Sequence, residues 1–149
     1  MNNQIIITDQ QNALDIDHDK LLTTIDFVLG HFNIDRGTVN LAVVGDDDIR
    51  QLEKQYFDQD MITDVLSFDI RDDEAGSIDC EIVVNAQRAI DEAGKRSSDP
   101  VAELHLYVVH GLLHQLGYDD LTDDEYENMH AKEDQILSEL GFGKVFDNK

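Results

Sequence analysis

Apolar positions along the chain fall into nine short segments whose spacing alternates between strand and helix periods. Gln4–Thr8 (QIIIT) is a short strand candidate, and Thr38–Val44 (TVNLAVV) alternates, with Val39, Leu41 and Val43 on one face. Val65–Ile70 (VLSFDI) and Ile78–Val84 (IDCEIVV) are two further strands, joined by the acidic loop Arg71–Ser77. Between His18 and Phe32, Leu21, Leu22, Ile25, Val28 and Leu29 recur at helical spacing. Asp46 suits the N-cap of a helix to about Tyr56 with Ile49 and Leu52 inward, and Asn85 caps another ending near Gly94. Asp99-Pro100 opens the most apolar helix, which runs to about Leu116 and stops at Gly117, a natural left-handed C-cap. Thr122 begins a last amphipathic helix to about Leu140.

The order β-α-β-α-β-β-α-α-α predicts an α+β (α/β-like) fold, a mixed sheet of about four strands with helices packed on it. The β-β junction should be antiparallel. With 149 residues, one proline and no Ser/Gly-rich linker, residues 1–149 read as a single domain.

Composition narrows the partners. The 33 acidic residues against 11 basic ones give a net charge of −22, which repels nucleic-acid phosphates and anionic membranes unless a metal or a local basic patch intervenes. Lys54, Arg88 and Lys132 are the few basic residues near the motifs described below. No apolar stretch approaches the ~20 residues needed to span a bilayer, and the first residues lack a basic start. The protein is therefore expected to be soluble and cytoplasmic. A lone cysteine, Cys80, excludes an internal disulfide framework and fits a reducing compartment.

The helix Val101–Leu116 is apolar around most of its circumference, so it should be buried on nearly all sides. One stripe breaks the pattern: at ~100° per residue, Glu103, Tyr107, His110 and His114 fall within about 60° of one another. A polar file on a buried helix must be satisfied or used. Histidines at i and i+4 project the same way and can grip one metal ion. Gly117 lets the chain reverse, so that Asp119 or Asp120 can return a carboxylate to the same point. Three protein ligands leave a position open for water, as a catalytic site requires. Two imidazoles and a carboxylate suit zinc, and also iron, nickel or manganese. His105 points away from the stripe and reads as an ordinary edge residue. His18, His31 and His130 have no ligand spacing, although His130, on the final helix, can return to the site.

HGLLHQLGYDD, His110 to Asp120, resembles the HGxLHLxGYDH signature of the YbeY family of rRNA-maturation endoribonucleases. Thr63 to Phe68 matches that family's TDVLSF segment. Leu52 to Asp60 (LEKQYFDQD) sits where the family has an LNxxYRxxD-type helix end, and Glu81 to Asn85 resembles its GDIVIS-type strand. The resemblance covers about Leu41 to Leu137. It implies a zinc-dependent hydrolase, one ion per chain, acting on single-stranded RNA. It also implies ribosome association, trimming of the small-subunit rRNA 3′ end and a part in ribosome quality control.

Carried over by position, His110 and His114 match the first two ligands, and the third falls on Asp120, where the signature has histidine. A carboxylate there makes the site more anionic, so a bound water should be less acidified. Phe57 stands where the family has arginine, Ile62 where it has proline, and Phe68-Asp69 replaces a phenylalanine-proline step. Phenylalanine cannot hold a scissile phosphate as arginine does.

Gly111 follows the first histidine, so the general base of an HExxH site is missing. Asp119, Asp64 or Glu103 can take or relay a proton, while Asp64 equally suits an element-end hydrogen-bond acceptor. Together with the ligand His114, the candidate catalytic set is Asp119, Asp64 and Ser67. Ser67 either positions substrate or is a small residue packed at a sheet edge. Two other functions compete: a metzincin-like zinc peptidase, and a ribosome-assembly protein with a structural metal and weakened chemistry. Any RNA binding should be weak and strongly salt-sensitive. A basic ribosomal protein is the alternative partner for so acidic a surface.

Overall fold

The computed structural model describes residues 3–71, 77–143 and 145. The order is β1 (Gln4–Asp9), α1 (His18–His31), β2 (Thr38–Val44), α2 (Asp46–Phe57), β3 (Val65–Asp69), β4 (Asp79–Asn85), α3 (Ala86–Lys95), α4 (Pro100–Gln115) and α5 (Asp123–Glu139). The mixed sheet has the order β1-β2-β4-β3: β1–β2 and β2–β4 are parallel, and the β3–β4 pair is antiparallel. Fold class and element order match the expectations above. Most of the acidic loop Arg71–Ser77 lies outside the described residues.

Period-2 alternation divides the sheet into two apolar faces. Val39, Leu41, Val43, Cys80, Ile82 and Val84 meet α1 and α4 in the main core. Val44, Leu66 and Val83 pack with Ile49 of α2 on the opposite side, while Leu52 is only half-buried. Asp46 is not an N-cap. Gly45 occupies that position without a side-chain cap bond, and the Asp46 carboxylate instead accepts a hydrogen bond from Asn85 Nδ2 at 2.8 Å. Asn85 does cap α3, accepting from Arg88 N at 3.2 Å. It also donates to the carbonyl of Thr63 at 3.1 Å, which pins the segment entering β3.

Buried residues cover nearly the whole circumference of α4. Its approach to the sheet is set by Gly111, where an added Cβ would sit 3.0 Å from Ile82 Cγ2 and 3.2 Å from Val65 Cγ2. His105 is not an edge residue. It is 2% exposed, its Nδ1 is 2.8 Å from Thr24 Oγ1, and its ring lies 4.4 Å from that of Phe142. A ring on the apolar flank of a buried helix has no route to water. Burial first, then Lys20, pushes its pKa down to about 4. Burial likewise pushes the Cys80 thiol up to about 12, leaving no thiolate for chemistry.

Gly111→Val should lower stability by about 2 kcal/mol through overpacking, read as a lower urea midpoint at unchanged slope. Gly30→Ala, with nothing within 4 Å of the added carbon, should be neutral or stabilising. Native His105 stays neutral down to about pH 4, whereas the unfolded chain protonates it near 6.5. Stability should therefore fall as pH drops through that window, by about 2–3 kcal/mol near pH 4.5. His105→Phe should remove this component when urea melts at pH 7 and pH 4.5 are compared.

Candidate metal centre

Four residues form the polar stripe of α4, and the structure divides them in two. Glu103 is fully buried and receives a 2.7 Å hydrogen bond from Arg96. Tyr107, 2% exposed, lies in the core, where burial and then the charges of Glu103 and Asp64 push its phenol up. Glu103 is thereby satisfied by Arg96, and neither Glu103 nor Tyr107 lines the cleft that the histidines face. His110 and His114, one and two turns on, are only partly buried and line a cleft of about 400 Å³ between α4 and β3. Thr63, Asp64, Ser67 and Gln115 line the same cleft.

The turn after α4 brings the third donor. Gly117 adopts φ +97, a left-handed conformation that costs glycine little, and Tyr118 N donates to Leu113 O at 2.9 Å. The chain then returns Asp120 to the histidines. His110, His114 and Asp120 each present one ligand atom, all within 4.8 Å of one another. Asp120, with its side chain 35% exposed, has Oδ2 4.0 Å from His110 Nε2. Asp119 is half-buried in the same turn and is not part of the donor cluster.

Hydrogen bonding decides what the two imidazoles can do. His114 Nδ1 is 3.1 Å from the carbonyl oxygen of Tyr118, which only accepts, so Nδ1 carries the proton. His110 Nδ1 is 2.6 Å from Glu133 Oε2. Burial pushes the Glu133 carboxyl up, but hydrogen bonds from His110 and His130 more than offset this and hold it below its ordinary value. Glu133 is therefore an ionised acceptor, and His110 Nδ1 also donates. Both Nε2 atoms are left as lone-pair donors when the rings are neutral, and they face each other 3.1 Å apart. Two lone pairs in that position repel unless a proton or a cation lies between them. Burial lowers the His110 pKa, but the Glu133 bond and charge, with Asp64 and Asp120, outweigh it and raise the net value.

The spacing also suits a metal. Bonds of about 2.0–2.1 Å place two nitrogens about 3.3 Å apart on a tetrahedral ion. The residues present therefore fit a divalent cation of zinc type. The turn alone allows Asp119 or Asp120, the motif places the third position on Asp120, and it is the Asp120 carboxylate that lies with the two imidazoles.

Other sequence candidates lie as follows. Asp64 stands on the cleft wall, close enough for its charge to act on His110. The Ser67 hydroxyl donates to the Gly111 carbonyl at 3.2 Å and accepts from Gln115 Nε2 at 2.5 Å. Gly111 turns towards the sheet, so the position after the first histidine has no room for a base facing the cleft. Phe57 is 46% exposed and stacks on Phe68 at 6.0 Å, with Tyr56 also against Phe68 at 5.4 Å.

No basic patch forms at the cleft from the expected residues. Lys54 lies 3.8 Å from Asp60, Arg88 3.7 Å from Glu92, and Lys132 bonds Gln135. A larger depression of about 620 Å³ carries Asp46, Asp47, Asp48 and Asp91 and no histidine.

His130 does return to the site, its ring stacked 6.0 Å from that of His110 and its Nδ1 bonded to Glu133. Glu133 itself escaped the sequence reading. Its signal was present, since it shares a helix face with Met129, Ile136 and Leu137, where an acid needs a buried partner.

The chain is similar to known proteins over most of its length. The family model described as endoribonuclease YbeY matches residues 6–141. A protein of Carboxydothermus hydrogenoformans named endoribonuclease YbeY is 33% identical over 137 residues, 91% of this chain and 96% of its own. A Finegoldia magna protein of the same name is 33% identical, covering 94% of this chain and 95% of its own. The solution structure of a Thermotoga maritima protein superposes with a TM-score of 0.65 at 27% identity, covering 92% of this chain and 89% of that one. Spacing, fold and relatives agree, and the chain belongs to the YbeY family.

Proposed function

We propose that this protein is a metal-dependent endoribonuclease that cuts single-stranded RNA, with one zinc ion held by His110, His114 and Asp120. The observation that carries the reading is the pair of imidazole Nε2 atoms facing each other at 3.1 Å, with both Nδ1 atoms already engaged. A bound divalent ion supplies Lewis acidity to a phosphoryl oxygen and to water or a 2′-hydroxyl. Asp64, on the cleft wall, and Asp119, beside the third ligand, are the carboxylates placed to take or relay the proton. Ser67, braced by Gln115, presents a fixed hydroxyl to substrate in the same cleft.

The absence of space for a glutamate at Gly111 weighs against the peptidase reading. The setting we infer is small-subunit rRNA 3′-end maturation and ribosome quality control in the cytoplasm. The ribosome, or a basic ribosomal protein drawn to a chain of net charge −22, is the partner. Among the described residues no helix is long and apolar enough to cross a membrane.

Phe57 shapes the substrate interaction. It cannot pair with phosphate, but with Tyr56 it offers exposed rings on which unpaired bases can stack.

Elemental analysis should find one zinc per chain in the wild type and none in His110→Ala or His114→Ala. Both variants should cleave a fluorescent single-stranded RNA at least about 100-fold more slowly, since the metal contributes several kcal/mol of charge stabilisation. Metal-loaded wild type without turnover would leave only the assembly-protein reading. Phe57→Arg should tighten RNA binding at low salt and steepen the salt dependence by about 0.7 in the log–log slope, for one added phosphate contact. Filter binding across a salt series checks this.

A further inference from the structure

We propose that Glu133, clamped by His130, is a positioning residue of this centre that fixes the tautomer of His110 and sets how tightly the ion is retained. The inference rests on the metal reading above and extends it to α5.

Glu133 has no exposed surface, and its two oxygens are divided between two rings. Oε2 lies 2.6 Å from His110 Nδ1, and Oε1 lies 2.5 Å from His130 Nδ1. Burying an ionised carboxylate is costly unless it is paired and hydrogen-bonded. A side chain serving only to pack α5 against α4, between Met129 and Ile136, would be apolar. The carboxylate faces one of the two rings that must offer their far nitrogens to the ion. His114 has a backbone carbonyl in the same role, but a carbonyl is neutral, whereas Glu133 brings charge as well as an acceptor.

His110 Nδ1–H donating to a carboxylate leaves Nε2 unprotonated, aimed at the ion, and more basic. Partners of this kind commonly change metal affinity 10–100-fold. His130 holds the second oxygen, so the carboxylate cannot swing away. Tyr126 packs edge-on against the His130 ring at 4.3 Å, placing the clamp one further turn along α5.

The test uses zinc alone, in competition with a chromophoric chelator, and imidazole 15N shifts of the metal-free full-length protein. At alkaline pH, where both rings are neutral, wild-type His110 should be in the Nδ1–H form. In Glu133→Ala the His110 ring should shift towards the Nε2–H form that free imidazole side chains favour, and the zinc Kd should rise 10–100-fold. Glu133→Gln, nearly isosteric, keeps an oxygen acceptor without the charge. It should retain the Nδ1–H form while its Kd rises about tenfold, a separation that a merely structural role would not produce. His130→Phe should weaken zinc binding less than tenfold. Should Glu133→Ala fail to fold, Glu133→Gln and His130→Phe carry the test. Unchanged Kd and tautomer in the folded variants would overturn the role of Glu133 while leaving the metal site standing. Wild-type protein that binds no zinc would overturn the metal site itself, and this role with it.

Discussion

Two imidazole nitrogens, each left as an acceptor by the partner on the far side of its ring, face one another 3.1 Å apart at the mouth of a cleft. Their repulsion is relieved only by a positive charge between them, and the surroundings are arranged to hold that position. Each ring is held by its Nδ1 bond, His110 to Glu133 and His114 to the Tyr118 carbonyl, on a helix packed against the sheet, α1, α3 and α5. Gly111 brings the helix so close to Ile82 and Val65 that even an added methyl group would press on both. The Gly117 turn supplies Asp120, and α5 supplies Glu133. The stiffness of a close-packed core is thereby transmitted to the geometry of the donors.

The electrostatics of the whole molecule pull against its proposed substrate. A chain of −22 repels RNA at a distance, and two of the three basic residues nearest the motifs, Lys54 and Arg88, already lie beside acidic partners. In the proposed function, attraction must be generated locally, by the proposed ion and by contacts that do not depend on charge, such as the exposed rings of Tyr56 and Phe57. With Asp120 as the proposed third ligand and Glu133 behind His110, the centre would be more anionic than a site of three histidines. That favours retaining a cation and lessens its capacity to acidify water.

Strands and helices were legible because apolar spacing and capping residues agreed. Thr38–Val44 alternates and pairs on both edges, and Thr122 sits at a capping box. Asp46 misled because its type suits a cap, while in space Asn85 claims its carboxylate. His105 misled for a related reason. Its angle on the wheel excludes it from the stripe but does not say whether that flank meets water or Phe142. The stripe itself divided in a way that spacing could not announce, since Arg96, seven residues upstream of Glu103, satisfies one end.

By itself the sequence determined the element order, the buried character of α4, the two histidines on one face and the glycine that reverses the chain, because these are properties of local spacing and backbone preference. Only the tertiary structure decided that the Asp120 carboxylate comes within 4.8 Å of both imidazoles, that Gly111 faces the sheet, and that Glu133 and His130 return from α5 to grip His110. Those outcomes depend on how separate segments meet in space, and hydrogen-bond direction and close packing act over distances that have no counterpart along the chain.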